Sequence, residues 1–267
     1  MTDLFLLFLT GIGVGAFGAL VGIGGGLIMV PLFMLAMMPP NGSTFQNVQQ
    51  VIGTSLFGVL LNSLSGTYAY LRQKRVMFRA AIPFAVATIP GAILGSWVSD
   101  WFTGPSFSIT FGASLAFLGC FMYWKSRSKK ATASADAFDV AHAQFNMALG
   151  ISISVFVGFV SSVLGIGGGV IHVPLMIFAL GFPPQIAVAT STCVLMVSSA
   201  VGTVSHAMLD HIVWAPALGV GLGAIVGAQI GAKIAKKSRP RVIVVLLSIV
   251  MVALGAQLIC RGAGLFL

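Results

Sequence analysis

The sequence predicts an all-α integral membrane protein made of two inverted five-segment repeats, each with a glycine-broken or re-entrant helix pair. Three observations predict it. The 267 residues are 58% hydrophobic and only 7% charged, whereas a soluble domain carries charge on about a quarter of its residues. Apolar stretches of membrane-helix length recur along the whole chain. A glycine cluster appears twice, in register with a wider internal repeat.

A span needs about 20 apolar residues. Segments 4–22, 25–38, 51–71, 80–98, 105–124, 143–164, 170–182, 186–208, 214–232 and 242–259 are the candidates. Two of them, 25–38 and 170–182, are short, and each follows a glycine cluster. The polar stretch 125–142 reads as a linker between a first repeat, 1–124, and a second, 143–267. The N-terminus lacks a basic n-region and reads as a retained membrane segment.

The repeats align by residue. Gly22-Ile-Gly-Gly-Gly-Leu-Ile-Met-Val-Pro-Leu32 matches Gly165-Ile-Gly-Gly-Gly-Val-Ile-His-Val-Pro-Leu175 at an offset of 143. Pro39-Pro40 matches Pro183-Pro184. After an insertion near 41–48 the offset becomes 136. It then pairs Thr54-Ser55 with Thr190-Ser191, Gly66-Thr67 with Gly202-Thr203, and Gly91 and Gly95 with Gly227 and Gly231. Such duplication is a common device of transporter architecture.

Charge gives an orientation. Three basic runs, Arg72–Arg79, Lys125–Lys130 and Lys233–Arg241, are separated by even numbers of segments and fall on one side, the cytoplasmic side by the positive-inside rule. The basic loop 72–79 corresponds to 208–215, which holds only Asp210 and His211. The loop 99–104, with Asp100 and no base, corresponds to the basic loop 235–240. The bias reverses between halves, so the repeats are expected to be inverted, with both termini outside a bacterial inner membrane. The net charge of +9 therefore points to membrane orientation, not to nucleic acid.

Three glycines in a row disfavour helix by about 1 kcal/mol each. In lipid a broken helix exposes polar backbone, which survives only where it is packed in protein or lines a cavity. The helix restarting after the break presents free N–H groups and a positive dipole end, which suits an anion. Gly24, Gly25, Gly26, Gly167, Gly168 and Gly169 are the candidate substrate-binding backbone. The alternative is that they only permit close helix packing, as the ladder Gly219, Gly223, Gly227 and Gly231 is expected to do. Thr54, Ser55, Thr190 and Ser191 are candidate hydroxyl donors to the anion, or else helix caps. Asn62 and Gln229 are intramembrane amides, either substrate contacts or interhelical bonds. His172, where the first repeat has Met29, is a proton-coupling candidate. His206, near a helix end, and His211, in a loop, read as solvated.

Several classes are excluded. All five acidic residues are Asp, so paired-carboxylate chemistry has little to work with. Cys120, Cys193 and Cys260 are scattered, with no disulfide framework or metal spacing. Gly13-x-Gly15-x-x-Gly18 fits a dinucleotide pattern but lies in an apolar segment without a preceding strand. No enzyme, cofactor or metal is implied.

The duplicated Gly-Ile-Gly-Gly-Gly-x-Ile-x-Val-Pro-Leu, followed by Gly53-Thr54-Ser55 and Ala189-Thr190-Ser191, resembles the TauE/SafE sulfite exporter family, also called the toluene-sulfonate uptake permease class. The resemblance covers nearly the whole chain. It implies a bacterial inner-membrane permease for sulfite, sulfonates, sulfoacetate or related small organic anions. Its members differ in substrate and direction. The expectation is a secondary transporter working by alternating access, embedded in the lipid bilayer, with a homo-oligomer left open. The rival expectations are an anion channel and a non-transporting membrane assembly factor.

Overall fold

The computed structural model describes residues 2–38, 42–102, 105–127, 133, 135, 138 and 143–264. The expected match at Pro39-Pro40, the linker residues Lys129, Lys130 and His142, and the termini Met1 and Leu267 lie outside the described residues. The described residues form ten helices and no strand. Six of the helices are long and apolar enough to cross a membrane.

Helix α1 (Thr2–Val21) is apolar on all sides and stops at Gly22, whose φ is 80°. Helix α2 (Gly26–Ala36) has 11 residues, about 16 Å at 1.5 Å per residue. That is half of a hydrocarbon core of about 30 Å, so α2 alone is too short to cross it. Helix α3 (Val48–Arg72) is capped by Asn47, whose side chain accepts from the Gln50 N–H at 2.9 Å. Helix α4 (Phe78–Val98) contains Pro83 and Pro90, and α5 (Pro105–Lys125) closes the first half.

The second half repeats the plan. Helix α6 (Met147–Leu164), capped by Asn146, stops at Gly165 with φ 69°. Helix α7 runs Gly169–Pro174 and continues as a π-helical stretch over Leu175–Ala179. Pro174 supplies no N–H to the ladder there, a local cause for the wider turn. Helices α8 (Pro184–Met208), α9 (Trp214–Lys237) and α10 (Pro240–Gly262) follow.

The halves interlock. Helix α1 lies along α9, α6 lies along α4, α3 and α8 pack together in the middle, and α5 pairs with α10 at the flank. Small residues set these seams. Gly223, Gly227 and Gly231 of α9 lie on the main chain of Phe8, Ile12 and Ala16 of α1. Gly91 and Gly95 of α4 lie in the same way on Val155 and Phe159 of α6. Both seams carry the offsets found in the sequence. The outer surface is apolar: Ile82, Val86, Leu94, Phe117 and Leu222 are exposed, as are the terminal aromatics Trp97, Trp101, Trp124 and Trp214. A lipid bilayer covers such a surface and places such aromatics at its two interfaces.

Candidate functional site

The two glycine breaks meet one another. Gly22, Gly24 and Gly25 have φ of 80°, 75° and 84°, and Gly165, Gly167 and Gly168 have 69°, 83° and 70°. This left-handed backbone strains any side chain with a Cβ, and it ends α1 and α6 before α2 and α7 begin. Gly26, the first residue of α2, lies against the Gly165 carbonyl, and Gly169, the first residue of α7, lies against the Gly22 carbonyl. A methyl group at either position would have no room.

Two side chains cover the junction. Gly24 and Gly167 both face Val59 of α3 and Leu195 of α8, which are equivalent at the offset of 136. Val59 and Leu195 sit halfway along 25-residue helices, so the breaks lie at mid-depth of the central pair. The junction is closed in this conformation. Beside Gly168 there is a cavity of about 10 Å³, lined by Val160, Ser161, Ile166, Val170 and Ile171.

The hydroxyls expected at the site lie around it and are engaged with backbone. Ser55 donates to the Gly165 carbonyl at 3.0 Å, and Ser191 donates to the Gly22 carbonyl at 3.1 Å. Each therefore secures the break of the opposite half. Thr54 accepts from the Val213 N–H at 3.0 Å, and Thr190 accepts from the Met77 N–H at 3.1 Å. All four side chains are buried. The first-turn N–H groups of Gly26 and Leu27 donate to no acceptor among the described residues.

Gln229 is placed elsewhere. Its amide donates to the Ser65 carbonyl and hydroxyl at 2.7 and 2.8 Å, joining α9 to α3. Asn62 donates to the Gly15 carbonyl at 2.9 Å. His172 is buried on α7, with Nε2 3.0 Å from Ser154 Oγ, which itself lies 2.7 Å from the Gly150 carbonyl. A serine hydroxyl has one hydrogen. Ser154 spends it on the carbonyl, so His172 is the donor and holds its proton on Nε2.

One expectation is corrected. His206 is not solvated: it is fully buried, with Nδ1 3.1 Å from His211 Nδ1 and Nε2 3.2 Å from the Ser162 carbonyl. Its place near a helix end suggested water, but α6 closes over it. The sequence also gave no sign of Val59 and Leu195, because an apolar residue in an apolar span stands out from nothing.

Comparison with known proteins places this architecture. The family model of the sulfite exporter TauE/SafE matches residues 7–258. The probable membrane transporter protein YunE of Bacillus subtilis (strain 168) is 35% identical over 268 residues, covering 96% of this chain and 97% of its own. A probable membrane transporter protein of Xylella fastidiosa (strain Temecula1) is 28% identical, over 77% of this chain and 75% of its own. The probable membrane transporter protein MJ0441 of Methanocaldococcus jannaschii is 27% identical, over 75% of this chain and 71% of its own. No solved structure matches the chain. With all but its ends inside the family model, the chain belongs to the sulfite exporter TauE/SafE family of multi-pass membrane transporters.

Proposed function

We propose that the protein is a secondary transporter that moves a small anion, such as sulfite, a sulfonate or sulfoacetate, across the bacterial inner membrane by alternating access. The meeting of the two glycine breaks carries this reading. Two helices, α2 and α7, begin at one mid-depth junction, so their positive ends converge there. The first-turn N–H groups of α2 and the hydroxyls of Thr54, Ser55, Thr190 and Ser191 are the donors at hand. No Lys or Arg lies in the middle of a described helix, so an anion there is neutralised by partial charges. Half-charges bind more weakly than a buried cation and release more readily. Gln229 would enter only if α9 shifts along α3.

The two halves are read as inverted across the membrane, with both termini outside and the 125–142 linker inside. The contacts Thr54–Val213 and Thr190–Met77 favour this, because they lie at opposite ends of the α3–α8 pair. Val59 and Leu195 act as the shared closure, parting toward one side and then the other. His172, hydrogen-bonded to Ser154, is the proton carrier of this scheme within the second hairpin.

Sulfite counterflow in proteoliposomes tests the proposal. Saturable uptake of labelled sulfite against an unlabelled internal pool is expected of a carrier. Linear, non-saturating flux would indicate a channel. No flux and no thermal stabilisation with sulfite, sulfoacetate or other sulfonates would indicate an assembly factor. A ligand at 100 times its Kd stabilises by about 2.7 kcal/mol.

A further inference from the structure

We propose that the crevice between α4 and α8 is a lipid site, which takes one acyl chain of a phospholipid with an ammonium headgroup, of the phosphatidylethanolamine type. The inference does not depend on which anion the protein moves.

The crevice has a volume of about 560 Å³. Ile93 and Trp97 of α4 form one wall, and Val201, Val204 and Met208 of α8 form the other. Trp97, Val204 and Met208 are exposed, so the crevice opens sideways onto the face that the bilayer covers. Packed protein leaves few voids larger than a water molecule, and a void on this face meets hydrocarbon. Its length matches one leaflet. Ala200 lies just past the middle of α8 and Leu209 caps its end. Both line the crevice, and the helix rises about 13 Å between them. Half of the hydrocarbon core is about 15 Å. The crevice thus runs from near mid-depth to the end of the span.

The equivalent seam in the other half is closed by the protein itself. At the offset of 136, Ile93 corresponds to Gln229, Val201 to Ser65 and Leu209 to Gln73. Gln229 donates to Ser65, Ser65 donates to the Ile225 carbonyl at 2.7 Å, and Gln73 donates to the Ala232 carbonyl at 3.1 Å. These bonds draw α9 onto α3. At the places of Val204 and Met208 that half has Tyr68 and Arg72, with the guanidinium 5.8 Å from the ring centre. The side chains of Ile93, Val201 and Leu209 can neither donate nor accept. The α4–α8 seam is therefore held there by apolar contact alone, and an apolar filler completes it.

The mouth selects the headgroup. Asp210, exposed at the tip of the α8–α9 turn, follows Leu209, and Asp100 lies two residues past the end of α4. Segments 93–102 and 200–213 hold no Lys or Arg. An anionic headgroup meets like charge at this mouth, whereas an ammonium meets a carboxylate. Ser205 lines the crevice one turn below the mouth. Its hydroxyl makes no hydrogen bond among the described residues. It is the one side chain of the lining with a hydroxyl, and it is placed to donate to an ester carbonyl of the lipid.

The test releases the full chain from nanodiscs of equal phosphatidylethanolamine and phosphatidylglycerol into a native mass spectrometer. The wild type should retain one phosphatidylethanolamine per chain, in several-fold excess over phosphatidylglycerol. Ala200→Phe fills the inner end and should lose the retained lipid. If that variant does not fold, Val204→Phe on the exposed rim serves the same purpose. Asp210→Lys should turn the preference toward phosphatidylglycerol. The backbone accepts this change, because Lys74 holds the equivalent turn at φ 56° where Asp210 has 55°. Lipid retention that survives the filling variants overturns the site. Equal retention of the two lipids by the wild type, or an unchanged preference in Asp210→Lys, overturns the headgroup assignment. A dimer that carries no lipid and falls apart in Val204→Phe also overturns the site, since the crevice is then an interface between two copies of the chain.

Discussion

Ser63 and Ser199, which occupy the same place in the two halves, meet hydroxyl to hydroxyl at 3.3 Å. A two-fold relation maps each onto the other only if its axis runs between them. The same relation exchanges Ser55–Gly165 with Ser191–Gly22, and Thr54–Val213 with Thr190–Met77. The centre of the molecule is thus a set of reciprocal contacts in which each half completes the other. Neither glycine break has its serine partner within its own half.

The reciprocity has an energetic consequence. Ser55→Ala leaves the Gly165 carbonyl without its donor, and Ser191→Ala does the same to Gly22. Hydrogen bonds of this kind contribute about 0.6–1.5 kcal/mol. The two variants should lose similar stability in detergent, read by thermal unfolding beside size-exclusion behaviour. A loss in one and none in the other would show that the halves do not support each other equally.

Spacing alone does not tell which glycines are seams. Gly223 of α9 rests on the Phe8 carbonyl, whereas Gly13 of α1 has nothing within 4 Å of where a Cβ would stand. Gly223→Ala should force α1 from α9 and destabilise the fold. Gly13→Ala should be neutral or stabilise by up to about 1 kcal/mol through helix propensity. Thermal unfolding of the two variants side by side checks the contrast, and equal effects would refute the seam.

Much of this order was legible in the residues. The offsets of 143 and 136 between the halves reappear as pairs of contacts in space. The short second helix of each half followed from the glycines that precede it. Other features carried no signal. Periodicity does not say that Ser55 reaches across to Gly165 instead of bonding its own helix. Val59 and Leu195 are apolar residues in apolar surroundings, so their position over the breaks emerges only from packing. His206 sits one turn from a helix end, where exposure is the ordinary outcome; its burial comes from the packing of α6 against it.

Orientation can be read at the tips of the two equivalent turns. Lys74 and Asp210 are both exposed and both lie at ends where a probe can reach them. In a background without Cys120, Cys193 and Cys260, Lys74→Cys should react with an impermeant maleimide only after the membrane is opened. Asp210→Cys should react in intact cells. Reaction of both from the same side would end the inverted arrangement.

The closure over the breaks gives the most direct link between packing and selectivity. Val59 and Leu195 fill the space beside Gly24 and Gly167, and both are fully buried. Leu195→Ala should cost about 2–5 kcal/mol, and Val59→Ala less because fewer atoms are removed. If the anion passes here, the space gained admits a larger one. In both variants, inhibition of labelled sulfite exchange by bulkier sulfonates should strengthen relative to inhibition by sulfite itself, whose contacts with N–H groups are untouched. Substitutions at the glycines cannot make this distinction, because φ of 84° at Gly25 and 70° at Gly168 strains the backbone before any substrate is involved. Variants that lose stability as expected but keep the wild-type ranking of competing anions would place the selective step away from Val59 and Leu195. The glycine junction would then be a packing device on which the moving parts bear.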